Sequence, residues 1–403
     1  LKLFQSILIN KNYSLVLIGG GLEDNNKEIW NKIIELGGGI NKAKFGIITS
    51  ASENPCCNKS SSWFYYSNML TLYGAAEVYY IPITINTKEN NINKNVINHI
   101  KTLTGFFFGG GDQSKIIESF YNNNERIPSP ALLAIRETLL STGGVVAGTS
   151  AGTDCQTIYT MITGGNSYES LLYGSKTYWE IDELPDESIL TAYGPGGIGL
   201  FQYGLLDTHF TNRGRQGRLA VLAMDTISNP LSSLYAYGID ENTALVITGP
   251  WNQRQGTIIG ERGMFIIDLT SATLEQTNDG LYQEYHNILI SRVSHDDIIQ
   301  WSTTSPTITI PSYKTSLTNR EQDIIPNESK DIFGEYNYEF DNLLYSLITS
   351  TATSTNGYTL HSSPQFKVKV QKIPNKSQSF DGYDLNGNYQ WTYVGLQMDM
   401  IVA

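Results

Sequence analysis

A chain of 403 residues, 40% of them hydrophobic, 11% aromatic and only 16% charged, carries enough apolar material for a large core and too few charges for a disordered tail. Its net charge of −12 excludes a sequence-independent grip on nucleic-acid phosphate or on an anionic membrane, since both need surplus Lys and Arg. No apolar run approaches the roughly 18 residues of a spanning helix.

From residue 13 to about 225, short β-branched or aromatic runs alternate with turn clusters and stretches of helical spacing. Runs at 15–18, 45–49, 78–83, 105–108 and 144–147 are predicted strands, and 27–36, 60–72, 93–103, 113–121 and 131–140 are predicted helices. Strand following helix in this order predicts an α/β fold, a mostly parallel sheet flanked by helices. After residue 219 the texture changes to hairpin-like strands at 234–238, 243–248, 257–260 and 264–269. From about 303 onward Ser, Thr, Pro and Asn dominate, followed by a helix-like segment at 340–348 and strand-like segments at 366–370 and 391–402. We read 13–302 as one domain and 303–403 as a β-rich C-terminal extension packed on the core or on a partner copy.

Cys56, Cys57 and Cys155 allow at most one bridge, and a bridge between the two neighbours would be strained. Sequons at Asn12, Asn58, Asn327 and Asn375 fit a secreted or vesicular, lysosome-like location, with the cytoplasm as the alternative.

The sharpest motif is the run VVAGTSAG at 145–152, where a predicted strand enters a GxSxG turn and then a predicted helix. Such a turn exposes the Ser150 hydroxyl, and the helix start offers free backbone N–H groups, Ala151 first, to a developing oxyanion. A second glycine cluster, Gly109 to Gly111, follows a strand in the same way and can supply further donors from Gly110 or Gly111, or equally form a turn before an N-cap at Asp112. A third, Gly19 to Gly21, lacks the spacing of a dinucleotide site, so no nucleotide cofactor is expected. No metal-ligand spacing occurs, and Asp384, Asn386 and Asn388 are too sparse a set for calcium.

A serine nucleophile needs a base, and there are five histidines. His209 stands out: Asp207 precedes it and Arg213, Arg215 and Arg218 follow within nine residues, a density that reads as an anion clamp or as a solvated basic helix start. Alternation along a strand would put Asp207 on the same face as His209. The acid orienting the histidine is left open between Glu169 and Asp207.

Several blocks, FGIITSAS (45–52), FFFGGGDQ (106–113), AGTSAGT (147–153), MITGGNSYE (161–169), LLDTHFTNRGRQGRL (205–219) and YGIDENTALVI (237–247), resemble the cyanophycinases, serine peptidase family S51. The resemblance extends from residue 13 to about 301. It implies a flavodoxin-like sheet of the class I glutamine amidotransferase and dipeptidase E kind and a triad that falls on Ser150, His209 and Glu169. It also implies substrate contacts at Gln113, Asp207, Thr208, Arg213, Arg215 and Arg218, and hydrolysis of an Asp-Arg branched polymer or β-aspartyl peptides without cofactor or metal. A homodimer is expected, and neither nucleic acid nor membrane as partner. The alternatives are an aspartyl or isoaspartyl dipeptidase and a catalytically idle storage or structural protein on the same fold.

Overall fold

The computed structural model describes residues 13–122, 126–178, 188–194, 196–228, 232–250, 253–301, 305–318 and 320–403. The sequon at Asn12 and the expected domain boundary at 302/303 lie outside these residues.

Five strands alternate with helices as the sequence predicts. They are β1 (Ser14–Ile18), β2 (Lys44–Ile48), β3 (Glu77–Tyr80), β4 (Gly105–Phe108) and β5 (Val145–Thr149). Between them run α1 (Lys27–Leu36), α2 (Ser62–Leu72), α3 (Lys94–Ile100), α4 (Gln113–Phe120) and α5 (Pro130–Thr142). All five strands pair in parallel, in the order β3-β2-β4-β5-β1. Their residues are apolar at successive positions because both faces are covered. In β1, Leu15 and Leu17 enter one core while Val16 and Ile18 enter the other with Trp30 and Ile33 of α1. The spacing of Ile29, Trp30, Ile33 and Ile34 gives α1 a single buried stripe, and Asn26 caps its start by accepting from the Ile29 amide.

The chain then forms α6 (Ala151–Asp154), α7 (Ser167–Tyr173), β6 (Leu205–Asp207), α8 (Gln216–Asp225) and β7 (Tyr235–Ile239). The hairpin region follows as β8 (Thr243–Thr248), β9 (Gln255–Gly260), β10 (Gly263–Asp268), β11 (Gln283–Ser294), β12 (Ile298–Trp301) and β13 (Pro306–Thr309). Strand β8 pairs antiparallel with β1, and β9, β12 and β13 continue that first sheet. A second sheet runs β6-β7-β10-β11, with β6 and β7 parallel. The extension completes it with β14 (Ser354–Tyr358), β15 (Phe366–Lys372), β16 (Gln378–Tyr383) and β17 (Tyr389–Val402), and α9 (Glu339–Ile348) packs beside β14. Strand β17 lies between β11 and β15, so residues before and after 303 share one sheet and one core.

Cys56 and Cys57 are joined to each other in the loop before α2, and Cys155 is free and buried. Asn58, Asn327 and Asn375 are exposed.

Candidate active site

The GxSxG turn forms at the end of β5. Ser150 has φ 54° and ψ −125°, a conformation that costs a side-chain-bearing residue roughly 1–3 kcal/mol and holds the hydroxyl out of the turn. Only glycine fits at 148, because a Cβ there would stand 2.2 Å from the Gly152 carbonyl oxygen.

Ser150 Oγ lies 2.8 Å from His209 Nε2, and His209 Nδ1 lies 2.5 Å from Glu241 Oε1. A carboxylate only accepts, so Nδ1 donates to Glu241, Nε2 is the bare nitrogen, and the serine hydroxyl donates to it. The partner of the histidine is therefore Glu241 and not Glu169, as the resemblance had implied. Glu169 sits in the first turn of α7 and lines a different cavity. Glu241 reaches the site because β6 and β7 run parallel with Asp207 opposite Gly238, so the two chain segments leaving this sheet edge emerge side by side.

Three consecutive carbonyls at the end of β1 hold the group together. Ile18 O accepts from the Ser150 amide (3.1 Å), Gly19 O from the His209 amide (2.7 Å) and Gly20 O from the Asn242 amide (2.9 Å). Gly20 has φ +93°, and a Cβ on it would lie 2.3 Å from the His209 ring. The glycine cluster that carries no dinucleotide signature is thus the seat of the imidazole.

Burial lowers the His209 pKa below its ordinary 6.5, and the charges of Arg213 and Arg215 add to this against the opposing pull of Glu241. The ring is neutral at rest, as a general base requires. Burial pushes the Glu241 carboxyl up, but hydrogen bonds from His209 and Asn212 outweigh it and hold the group below the usual carboxylate range.

Ser150 stands between two cavities. One, of about 220 Å³, is polar and is lined by Gly111, Asp112, Gln113, Asp154 and Arg213, Arg215 and Arg218. The other, also about 220 Å³, is walled by Leu22, Trp30, Tyr65 and Tyr66. The expected clamp is only partly free to bind an anion. Arg218 holds Asp207 through Nε (2.9 Å) and Nη2 (2.5 Å), and Arg215 spends Nη1 on Asp207 and on the Thr208 carbonyl. The Arg213 side chain has no hydrogen-bond or ion-pair partner among the described residues.

Two expected substrate contacts are corrected. Asp207 and Thr208 are fully buried and do not line the cleft. The strand ends at Asp207, and His209 turns to φ 48°, so the alternation that would have put both on one face is broken. Asp207 is the counter-ion of Arg215 and Arg218, and Thr208 donates to Asp154 Oδ2 (3.0 Å). Gln113 does line the cleft, with its Nε2 donating to the Ile162 carbonyl (2.7 Å). Gly110 donates its amide to the Tyr66 hydroxyl (3.2 Å).

Asp154, which sequence reasoning passed over, lies one turn after Ser150 on the cleft floor. It is 2% exposed, and its Oδ1 has no hydrogen-bond partner among the described residues. Burial and the Asp207 charge push its pKa up to about 8, against Arg215 and Arg218. A lone Asp in a short glycine- and threonine-rich helix gives no sequence signal; only the fold brings it beside Asp207.

A curated protein from Geminocystis herdmanii (strain PCC 6308), named cyanophycinase, is 26% identical over 300 residues, covering 73% of this chain and 96% of that one. Another cyanophycinase, from Trichormus variabilis, is 28% identical over 262 residues, covering 64% of this chain and 74% of its own. In sequence the chain is cyanophycinase-like. No family model matches it. Among solved structures, a peptidase from an acI-B1 Actinobacterium aligns with a TM-score of 0.46 at 19% identity, over 73% of this chain and 98% of its own.

Proposed function

We propose that the chain is a serine-type peptidase of the cyanophycinase kind, cleaving peptide bonds beside aspartyl units in an Asp-Arg branched polymer or a related β-aspartyl peptide. The observation that carries this is the continuous Ser150, His209, Glu241 hydrogen-bond chain opening on a cleft with an uncommitted arginine. The curated relatives named cyanophycinase support the same reading.

In this mechanism Ser150 Oγ attacks the carbonyl carbon as its proton passes to His209 Nε2, and Glu241 stabilises the imidazolium that results. The amide of Ala151, at the start of α6, and that of Gly111 meet the oxyanion; Gly110 joins them when Tyr66 yields its amide. The imidazolium then protonates the leaving amine, and water, deprotonated by the same ring, releases the acyl group from Ser150. Arg213, with Arg215 behind it, holds a substrate carboxylate. The test is release of β-Asp-Arg from cyanophycin by the purified protein and its Ser150→Ala variant. Loss of at least ~10³-fold in rate is expected, and a variant as active as its parent would falsify the mechanism.

A further inference from the structure

Asp154, at the end of the one-turn helix α6, lines the polar cavity beside Ser150 together with Arg213, Arg215 and Arg218. Its carboxyl accepts from the Thr208 hydroxyl at Oδ2, and Oδ1 meets no hydrogen-bond partner among the described residues. Among those residues no Lys, Arg or His nitrogen comes within 4.0 Å of either oxygen. The arginines are taken instead by the other buried carboxylate, Asp207. Arg218 grips it through Nε and Nη2 and gives Nη1 to the carbonyls of Gly164 (2.9 Å) and Gly165 (3.1 Å). Arg215 bonds Asp207 and the Thr208 carbonyl through Nη1 and still lines the cavity.

A buried carboxyl with no counter-ion in contact keeps its proton, because the charged form has lost its water and gained nothing in return. Two carboxyls thus share one floor in opposite states, Asp207 ionised between guanidinium groups and Asp154 neutral. Asp207 offsets one of the two guanidinium charges. With Asp154 neutral a positive charge remains beside Arg213; with Asp154 ionised it is cancelled. The other groups around Asp154 leave this sum alone. Cys155, next in the chain, is kept as a thiol by burial. Asp112 stands at the N-cap of α4 with Oδ1 accepting from the Ser114 amide (2.9 Å), and β4 and β5, which pack on α6, bring no titratable side chain. We propose that Asp154 is a positioning residue that sets the charge of the cleft: as the neutral acid it leaves Arg215 unopposed beside Arg213 to hold a substrate anion, and as the carboxylate it repels that anion. Anion binding and retention of the proton at Asp154 then strengthen each other. The proposal rests on the peptidase reading for the nature of the anion, a substrate carboxylate, and adds a proton-dependent grip on it.

The experiment follows protons on binding, apart from turnover. Calorimetry on the Ser150→Ala protein measures binding of N-acetyl-β-aspartyl-arginine, whose own groups do not titrate between about pH 7 and 9. Burial pushes Asp154 up to about 8, so affinity should fall about tenfold from about pH 7 to 9, an interval over which His209 stays neutral. At about pH 8, titrations in Hepes and in Tris, which differ in heat of ionisation, should show uptake of roughly half a proton per peptide bound. With Asp154→Asn added, the affinity should be equal at both pH values and the uptake absent. Binding by the Ser150→Ala protein without pH dependence or proton uptake, a dependence that survives Asp154→Asn, or no binding at either pH overturns the proposal. The first readout leaves the cavity floor unaltered and does not depend on how the second variant folds. Coupled binding in a protein whose unmutated form hydrolyses neither this peptide nor cyanophycin leaves the role of Asp154 standing and sinks the peptidase reading; hydrolysis with uncoupled binding does the reverse.

Discussion

The division of labour between two glutamates is the point at which single side chains decide the chemistry. Glu241→Gln removes the acceptor at His209 Nδ1 and should lower kcat about 10³- to 10⁴-fold. Glu169→Gln, whose carboxylate lines the other cavity, should leave kcat within about twofold; steady-state kinetics on both variants tells the histidine's partner from a bystander. The imidazole must be neutral to act, so kcat/KM should fall as pH drops through the His209 pKa, with a midpoint below the ordinary 6.5. Arg213 contributes to that depression. Arg213→Gln should shift the acidic limb of the pH profile upward, besides weakening the hold on a carboxylate.

At the scale of elements, the site was legible wherever chemistry is local. The GxSxG turn announces Ser150 because its glycines are dictated by a bend within five residues. His209 was marked by the charged cluster around it. Glu241 was not, because its place depends on the parallel register of β6 on β7, which no local pattern encodes. The alternation of β1 to β5 with helices was readable from apolar runs buried on both faces, whereas the burial of Asp207 was hidden by a strand that stops one residue too soon for alternation to hold. The seat formed by β1 and its loop makes its own prediction. Gly20→Ala should leave the fold in place, by circular dichroism, yet cut activity at least about 10²-fold, because the new methyl group occupies the space of the His209 ring.

For the molecule as a whole, the extension is structural: its residues share a core with the second sheet. Strand β17 buries Tyr393, Leu396, Met398 and Met400 between β11 and β15. At about 1.5–3 kcal/mol for each large apolar side chain, these four alone approach the ~5–15 kcal/mol by which a typical protein is stable. A chain truncated after residue 302 should therefore fail to melt cooperatively and should aggregate on size exclusion; a sharp, monomeric melt would contradict this. Composition alone, rich in Ser, Thr and Asn after residue 303, gave no sign that this segment completes a sheet begun more than a hundred residues earlier.

The three carbonyls of Ile18, Gly19 and Gly20 fasten Ser150 from the first sheet, His209 from the second and the neighbour of Glu241 from the crossing between them. In the proposed mechanism, proton transfer thus works as a gauge of how the two sheets mate. A urea concentration that lets them slip by an ångström should silence turnover while the far-ultraviolet signal of each sheet is still intact.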